Sequence, residues 1–230
     1  RKNIMLKLYN LGDSFSYGNC AIEKNNFDVH KSPATFIADE FNLLEVNFAS
    51  PGASIDTIVR RLLTYGFDDE GIFMIGLSHS NRFQYSSTRK VDQSKKRRNI
   101  GFTRGPKRPQ DWFMTKKWDE MTLKEFDLPE QMMYHSFKNI LLIQKLLKGK
   151  KYFMYNTISG LMKEEPKNWE VQKIKKQIDL KYYYEPNHSL YQSNLDDKYY
   201  VADDDVHSNH IGMKKWTDDL KEWIKDVKII

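Results

Sequence analysis

Apolar runs of strand length alternate along this chain with amphipathic stretches of helical period, and each strand-like run stops at a turn. The first run, Ile4 to Leu11, ends in Gly12-Asp13-Ser14. Ser32 at an N-cap and Pro33 at the first helical position then open a helix reaching Asn42, because proline's fixed φ and missing N–H suit the first turn of a helix. Leu43 to Ala49 reads as a second strand closed by Ser50-Pro51-Gly52, and Ser54 to Tyr65 as a helix with Ile55, Ile58, Val59, Leu62 and Leu63 on one face. Ile72 to Leu77 is a third strand, short and wholly apolar, as expected of a strand covered on both faces. Strands joined through helices pair in parallel, because each crossover helix packs back onto the sheet it left. The expected fold class is therefore α/β, with a central parallel sheet between two helical layers.

The same pattern resumes later in the chain. Glu130 to Leu147 supplies a long amphipathic helix stopped at Gly149, Tyr152 to Ile158 a fourth strand, Tyr199-Tyr200-Val201 a short fifth, and Gly212 to Val227 a closing helix with Met213, Trp216, Leu220, Trp223 and Ile224. Two stretches break the alternation, a basic insertion at 82–118 and a polar, aromatic-rich region at 163–197. Both read as loops or caps over a site. With 230 residues, one domain spanning 1–230 is the expectation.

Composition removes several classes. No run approaches the ~20 apolar residues of a membrane helix, and mean hydropathy is −0.71. The single cysteine, Cys20, excludes an internal disulfide and a four-cysteine zinc site. The chain starts Arg1-Lys2-Asn3 and enters a strand pattern at once, which reads as a fragment whose targeting segment has been removed. The net charge of +6 is uneven: residues 82–118 hold 12 Lys and Arg against Asp92 and Asp111, a local +10 that leaves the rest of the chain at −4. Only this segment calls for an anionic polymer as partner.

Open parallel sheets bind ligands beyond the carboxyl ends of their strands, so the turns that follow the strands are where chemistry is expected. A hydroxyl nucleophile needs a base within hydrogen-bond reach and a third group to orient that base. Asp204 and His207 meet the second requirement, since a carboxylate three residues before a histidine can accept the Nδ1 proton and leave Nε2 facing a serine. Ser14, after the first strand, is that serine. The tetrahedral oxyanion needs donors. The backbone N–H groups of Ser14 and Gly52 and a side chain after the third strand, Ser78 or Asn81, can supply them.

This set resembles the SGNH, or GDSL-type, hydrolase family. Gly12-Asp13-Ser14 matches its first block with Ser14 as nucleophile, and Gly52 in Asn47-x-x-x-x-Gly52-Ala53-Ser54 matches the oxyanion glycine of the second. Asp204-x-x-His207, followed by Asn209 and Gly212, is similar to the last block, which carries the acid and the base just before the final helix. The resemblance spans Leu6 to about Leu220 outside the two insertions, and implies a flavodoxin-like α/β/α fold, a Ser14–His207–Asp204 triad, no cofactor and an ester substrate. The preferred substrate is an O-acetyl or other short acyl group on a carbohydrate, with a lipid or thioester acyl chain behind it. One block departs: the family has Gly-x-Asn after the third strand, and this chain has Gly76-Leu77-Ser78.

Asp203, Asp204, Asp205, His207 and His210 crowd eight positions, but consecutive residues point apart, so no metal site is expected there. Of the remaining histidines, His30, His79, His135 and His188, only His79 lies in a candidate site loop. Tyr182 to Tyr191 reads either as a pocket lining, since acyl and sugar groups pack against tyrosine, or as an aromatic loop packed on the core.

Overall fold

The computed structural model describes residues 5–18, 31–67, 70–80, 82–86, 113–117, 128–202 and 205–230. In chain order the elements are β1 (Lys7–Leu11), α1 (Ser14–Tyr17), α2 (Pro33–Phe41), β2 (Leu44–Asn47), α3 (Ile55–Thr64), β3 (Ile72–Leu77), β4 (Arg82–Ser86) and β5 (Phe113–Lys117). They continue with α4 (Leu128–Leu146), β6 (Lys151–Asn156), α5 (Trp169–Lys175), β7 (Tyr183–Tyr184), α6 (Leu190–Asp196), β8 (Tyr200–Ala202), β9 (Asp205–Ser208) and α7 (His210–Asp226).

Five strands form one all-parallel sheet in the order β2-β1-β3-β6-β7. Counting only the strands of this sheet, the order is 2-1-3-4-5, and the chain reverses its winding between β1 and β3. That crevice, beyond the carboxyl ends of the two strands, is where such sheets bind ligands. Leu11 pairs with Ile75, so the turns that carry Ser14 and Ser78 leave neighbouring strands at the same end of the sheet.

Burial explains the sequence of β3. Ile72 and Met74 pack with Leu8, Ile37, Phe153, Trp216 and Leu220 on the α2 and α7 side. Phe73 and Ile75 pack with Ile58, Phe137, Ile140 and Met154 on the α3 and α4 side. A central strand with helices on both faces has no polar side, which is why it reads as a continuous apolar run. Two helices start as the sequence indicates. Ser32 and Ser54 each accept an N–H from the residue three positions on, Thr35 and Thr57, whose side chains return the bond to the cap backbone.

Three sequence expectations need correction. The fifth strand of the sheet is Tyr183–Tyr184, not Tyr199 to Val201; Tyr200–Ala202 pairs antiparallel with Asp205–Ser208. Two residues separate β8 from β9, a link that permits a hairpin but not a parallel crossover. The 163–197 region is not a loop: it supplies α5, β7 and α6. Within 82–118, β4 and β5 pair antiparallel, with Arg82 opposite Lys117 and Ser86 opposite Phe113, so this insertion leaves the sheet on a two-stranded stem. Residues 87–112 and Trp118 lie outside the described residues, as do Cys20 and His30.

Candidate active site

Ser14 is the first residue of α1, where the chain turns sharply off β1. Asp13 caps that turn: its Oδ1 accepts the Phe15 N–H at 3.0 Å, and its backbone carbonyl accepts the Tyr17 N–H at 2.9 Å. Asn10 holds the same turn from the strand side by donating to the Ser16 carbonyl at 2.7 Å. The Ser14 side chain therefore starts from a fixed backbone.

Its Oγ lies 3.0 Å from Nε2 of His207 across 193 residues of sequence. His207 stands on β9, half-buried, with its ring 4.7 Å from that of Phe15. Its neighbours fix the strand: Asn194 donates to the Ser208 hydroxyl at 2.6 Å, the Asn209 N–H donates to the Tyr199 carbonyl at 3.0 Å, and the Asn209 side chain caps α7 by accepting the Gly212 N–H at 2.9 Å. A serine hydroxyl at this distance from an imidazole nitrogen can pass its proton to it as the oxygen attacks a carbonyl. Asp203, Asp204 and Asn81 lie outside the described residues.

Gly52 sits at the third position of the Ser50–Ala53 turn, after Pro51, with φ +75°. The Ala53 N–H closes that turn on the Ser50 carbonyl at 3.1 Å. A glycine at positive φ in the third position, preceded by proline, fits a type II turn, which needs that φ and favours proline before it. The Ser50 N–H donates to the Gly12 carbonyl at 3.0 Å, which ties the Gly52 turn to the Ser14 turn. Arg61 locks it from below: buried on α3, it donates to the Phe48 carbonyl and, at 2.9 Å, to the Ser50 hydroxyl.

Ser78 is 1% exposed, and its hydroxyl has no hydrogen-bond partner among the described residues. The chain turns back directly after it, the Arg82 N–H donating to the His79 carbonyl at 3.3 Å. This brings the Arg82 guanidinium to the nucleophile turn, with Nη1 3.8 Å from Asp13 Oδ2. Thr157, after β6, donates its hydroxyl to Asp13 Oδ2 at 2.8 Å, with the Leu77 carbonyl 3.0 Å away. Burial raises the Asp13 carboxyl above its ordinary pKa, opposed by the Thr157 hydroxyl, Arg82 and the Phe15 and Ser16 N–H groups. Glu164, which accepts from Ser80 at 3.3 Å, is also raised by burial.

Sequence reasoning did not find Arg61, Arg82 or Thr157. Arg61 carries no signal beyond its helical spacing, and Arg82 looks like one more cation of the basic insertion. His135, set aside from the sequence, pairs with Asp56 at 2.8 Å between α4 and α3, with Asn139 donating to the same carboxylate. Tyr183 and Tyr184 are core residues, the former donating to Asn156, whereas Tyr191 meets Phe15 edge-on. His210 packs against Phe36. Among the described residues no cluster of three or more His, Cys, Asp or Glu side chains could hold a metal ion, and no helix is long and apolar enough to cross a membrane.

No protein-family model matches this sequence, and no curated protein matches it. Solved structures do. A lipase, Lip_vut3, from a goat rumen metagenome aligns over 94% of this chain and 96% of its own, at 14% identity and a TM-score of 0.51. A carbohydrate esterase, described as having an active site with divergent catalytic and non-catalytic binding functions, aligns over 96% of this chain and 65% of its own, at 10% identity and a TM-score of 0.51. A lipolytic protein of the G-D-S-L family from Veillonella parvula aligns over 96% and 98%, at 12% identity and a TM-score of 0.46. The α/β fold, with its parallel sheet between helices, is the fold of the goat-rumen lipase and of the carbohydrate esterase.

Proposed function

We propose that this chain is a serine hydrolase of the SGNH type that cleaves an ester, with an O-acetyl or other short acyl group on a carbohydrate as its substrate. The observation that carries the reading is the 3.0 Å contact between Ser14 Oγ and His207 Nε2 at the carboxyl edge of the sheet. Ser14 Oγ bonds to the ester carbonyl carbon while its proton passes to His207 and the carbonyl electron pair moves onto oxygen. Collapse breaks the carbon–alkoxide bond, and His207 returns the proton to the leaving alcohol. Water then repeats the sequence on the acyl-enzyme and releases the acid. Asp204 orients the imidazole, and the Ser14 and Gly52 N–H groups with the Ser78 hydroxyl or Asn81 hold the oxyanion. No cofactor takes part in this scheme.

Two measurements test it. A fluorophosphonate should label the chain at Ser14, and nitrophenyl acetate turnover should vanish in both Ser14→Ala and His207→Ala. Labelling that survives Ser14→Ala overturns the reading. A second reading, a weakly active or non-catalytic binding module holding an anionic polymer, is favoured by the local +10 charge of 82–118 and by serine where the family has its asparagine. Polyanion binding without fluorophosphonate labelling would select it.

A further inference from the structure

We infer that Arg82 donates to the oxyanion at Ser14 and fills the role that the asparagine missing after β3 would play; this deepens the hydrolase reading and rests on it. Three observations converge. The Arg82 guanidinium comes within 3.8 Å of the carboxyl of the residue that precedes the nucleophile, beyond hydrogen-bond length. Its Nη1 is buried and, among the described residues, has no hydrogen-bond partner. Ser78, directly after β3, the strand that neighbours β1, also has a buried hydroxyl that lacks a partner among the described residues.

Burying a donor without an acceptor is costly, and native structures rarely leave one so without a use. Here two such groups stand four residues apart where the chain leaves β3, and one of them reaches the residue that precedes the serine. The His79–Arg82 turn is what folds the guanidinium back toward that residue. The Asp13 carboxyl, 3.8 Å from Nη1, lies too far away to satisfy that donor. An asparagine amide is neutral, whereas a guanidinium stays charged at every working pH and brings a full positive charge to the hydrogen bond it makes to an anionic oxygen. Serine at position 78 is thus compatible with turnover, since the charged donor comes from four residues later.

The test compares Arg82→Gln, Arg82→Lys and the double variant Arg82→Gln/Asp13→Asn with the parent, using nitrophenyl acetate and a trifluoromethyl ketone that forms a tetrahedral anion on Ser14. An oxyanion donor acts on the transition state, so Arg82→Gln should lower kcat about 10²- to 10³-fold with KM nearly unchanged. Ketone affinity should fall by the same factor. Arg82→Lys keeps the charge and should lose less, and it serves as the informative variant if the glutamine protein does not fold. Asp13→Asn should not restore the double variant. Restoration would mean that Arg82 only neutralises Asp13, and parental kcat in both single variants would also overturn the inference. If the parent's turnover survives Ser14→Ala, the hydrolase reading fails and takes this inference with it; Ser14-dependent turnover indifferent to Arg82 sinks the donor alone.

Discussion

The Ser16 hydroxyl lies 2.8 Å from the Tyr155 hydroxyl, and the two together fill the space that Gly12 and Gly76 leave at the carboxyl ends of β1 and β3. A Cβ on Gly12 would stand 2.1 Å from Ser16 Oγ, and one on Gly76 would stand 2.0 Å from that oxygen and 2.8 Å from the tyrosine oxygen. Both groups are buried, so neither can swing clear. The glycine of Gly12-Asp13-Ser14 is thus required by packing, because its missing side chain admits Ser16 beneath the nucleophile turn.

Gly76→Ala should accordingly destabilise the fold by about 1–3 kcal/mol, the usual cost of forcing extra volume into a packed core, and displace the Ser14 turn. Ser16→Ala together with Tyr155→Phe removes two of the three atoms that a Gly76 methyl would meet. The triple variant should therefore recover part of the loss. Thermal unfolding checks this: additive losses would show that the contact is not what excludes alanine.

Arg61 should matter to activity although it touches no reacting atom. Its bonds to the Phe48 carbonyl and Ser50 hydroxyl hold the turn that carries Gly52. Arg61→Met leaves those acceptors unpaired at a cost of about 1–3 kcal/mol and loosens Gly52. The expected result is a lower kcat at temperatures well below unfolding. Parental kcat in a destabilised Arg61→Met protein would show that the Gly52 turn holds itself.

Asp13 gives a pH dependence whose sign follows from its burial. Its carboxyl is raised above the ordinary value, burial being the largest cause. A group raised in the folded state contributes stability that is present below its unfolded pKa and lost as pH rises through the folded pKa. Asp13→Asn removes that titration. The melting temperature of the parent minus that of Asp13→Asn should therefore fall as pH rises from about 4 toward neutrality. A difference that grows with pH would mean that Arg82 and Thr157 outweigh burial.

The helix starts at Ser32 and Ser54 and the apolar strands could be read directly from the sequence, because caps and burial periodicity are local signals. Tyr183–Tyr184 carries no such signal because two residues are too short to show a period, nor do α5 and α6, whose 7 residues each make barely two turns. That Ser14 and His207, 193 residues apart, stand 3.0 Å from each other has no local signal; only the chemical need of a serine nucleophile for a base suggests the pair. The Arg82 contact with the Asp13 carboxyl could not be anticipated, since nothing in a run of cations tells which one folds inward. Burial of a single charge is decided by tertiary packing.

Asp204 is testable by the contrast with its neighbours. A carboxylate that orients His207 fixes the imidazole tautomer, and replacing it with its amide in a triad costs on the order of 10⁴ in kcat. Asp204→Asn should show a loss of that kind, whereas Asp203→Asn and Asp205→Asn should change kcat little. Equal effects at all three positions would point to the summed negative charge of the run rather than to one oriented carboxylate.

The basic insertion should separate from the acyl chemistry. Its stem, β4 paired with β5, begins at Arg82 beside the nucleophile turn, and the register sets Lys117 opposite Arg82 and Lys116 opposite Phe83, so positive residues gather at the root as well as in the sequence between the strands. Charge there attracts anionic partners, but a small neutral ester has nothing for it to attract. Neutralising Lys95, Lys96, Arg97 and Arg98 together should leave nitrophenyl acetate turnover within about twofold of the parent, because electrostatic steering acts only on charged ligands. Binding to a polyanion such as heparin should weaken, and the slope of log affinity against log salt should fall by about one for each lost ionic contact. Measuring both in one variant makes the outcome decisive. Absence of salt-dependent binding in the parent would remove the anionic partner, and an equal loss of small-ester turnover would make these four cations part of the ester site itself.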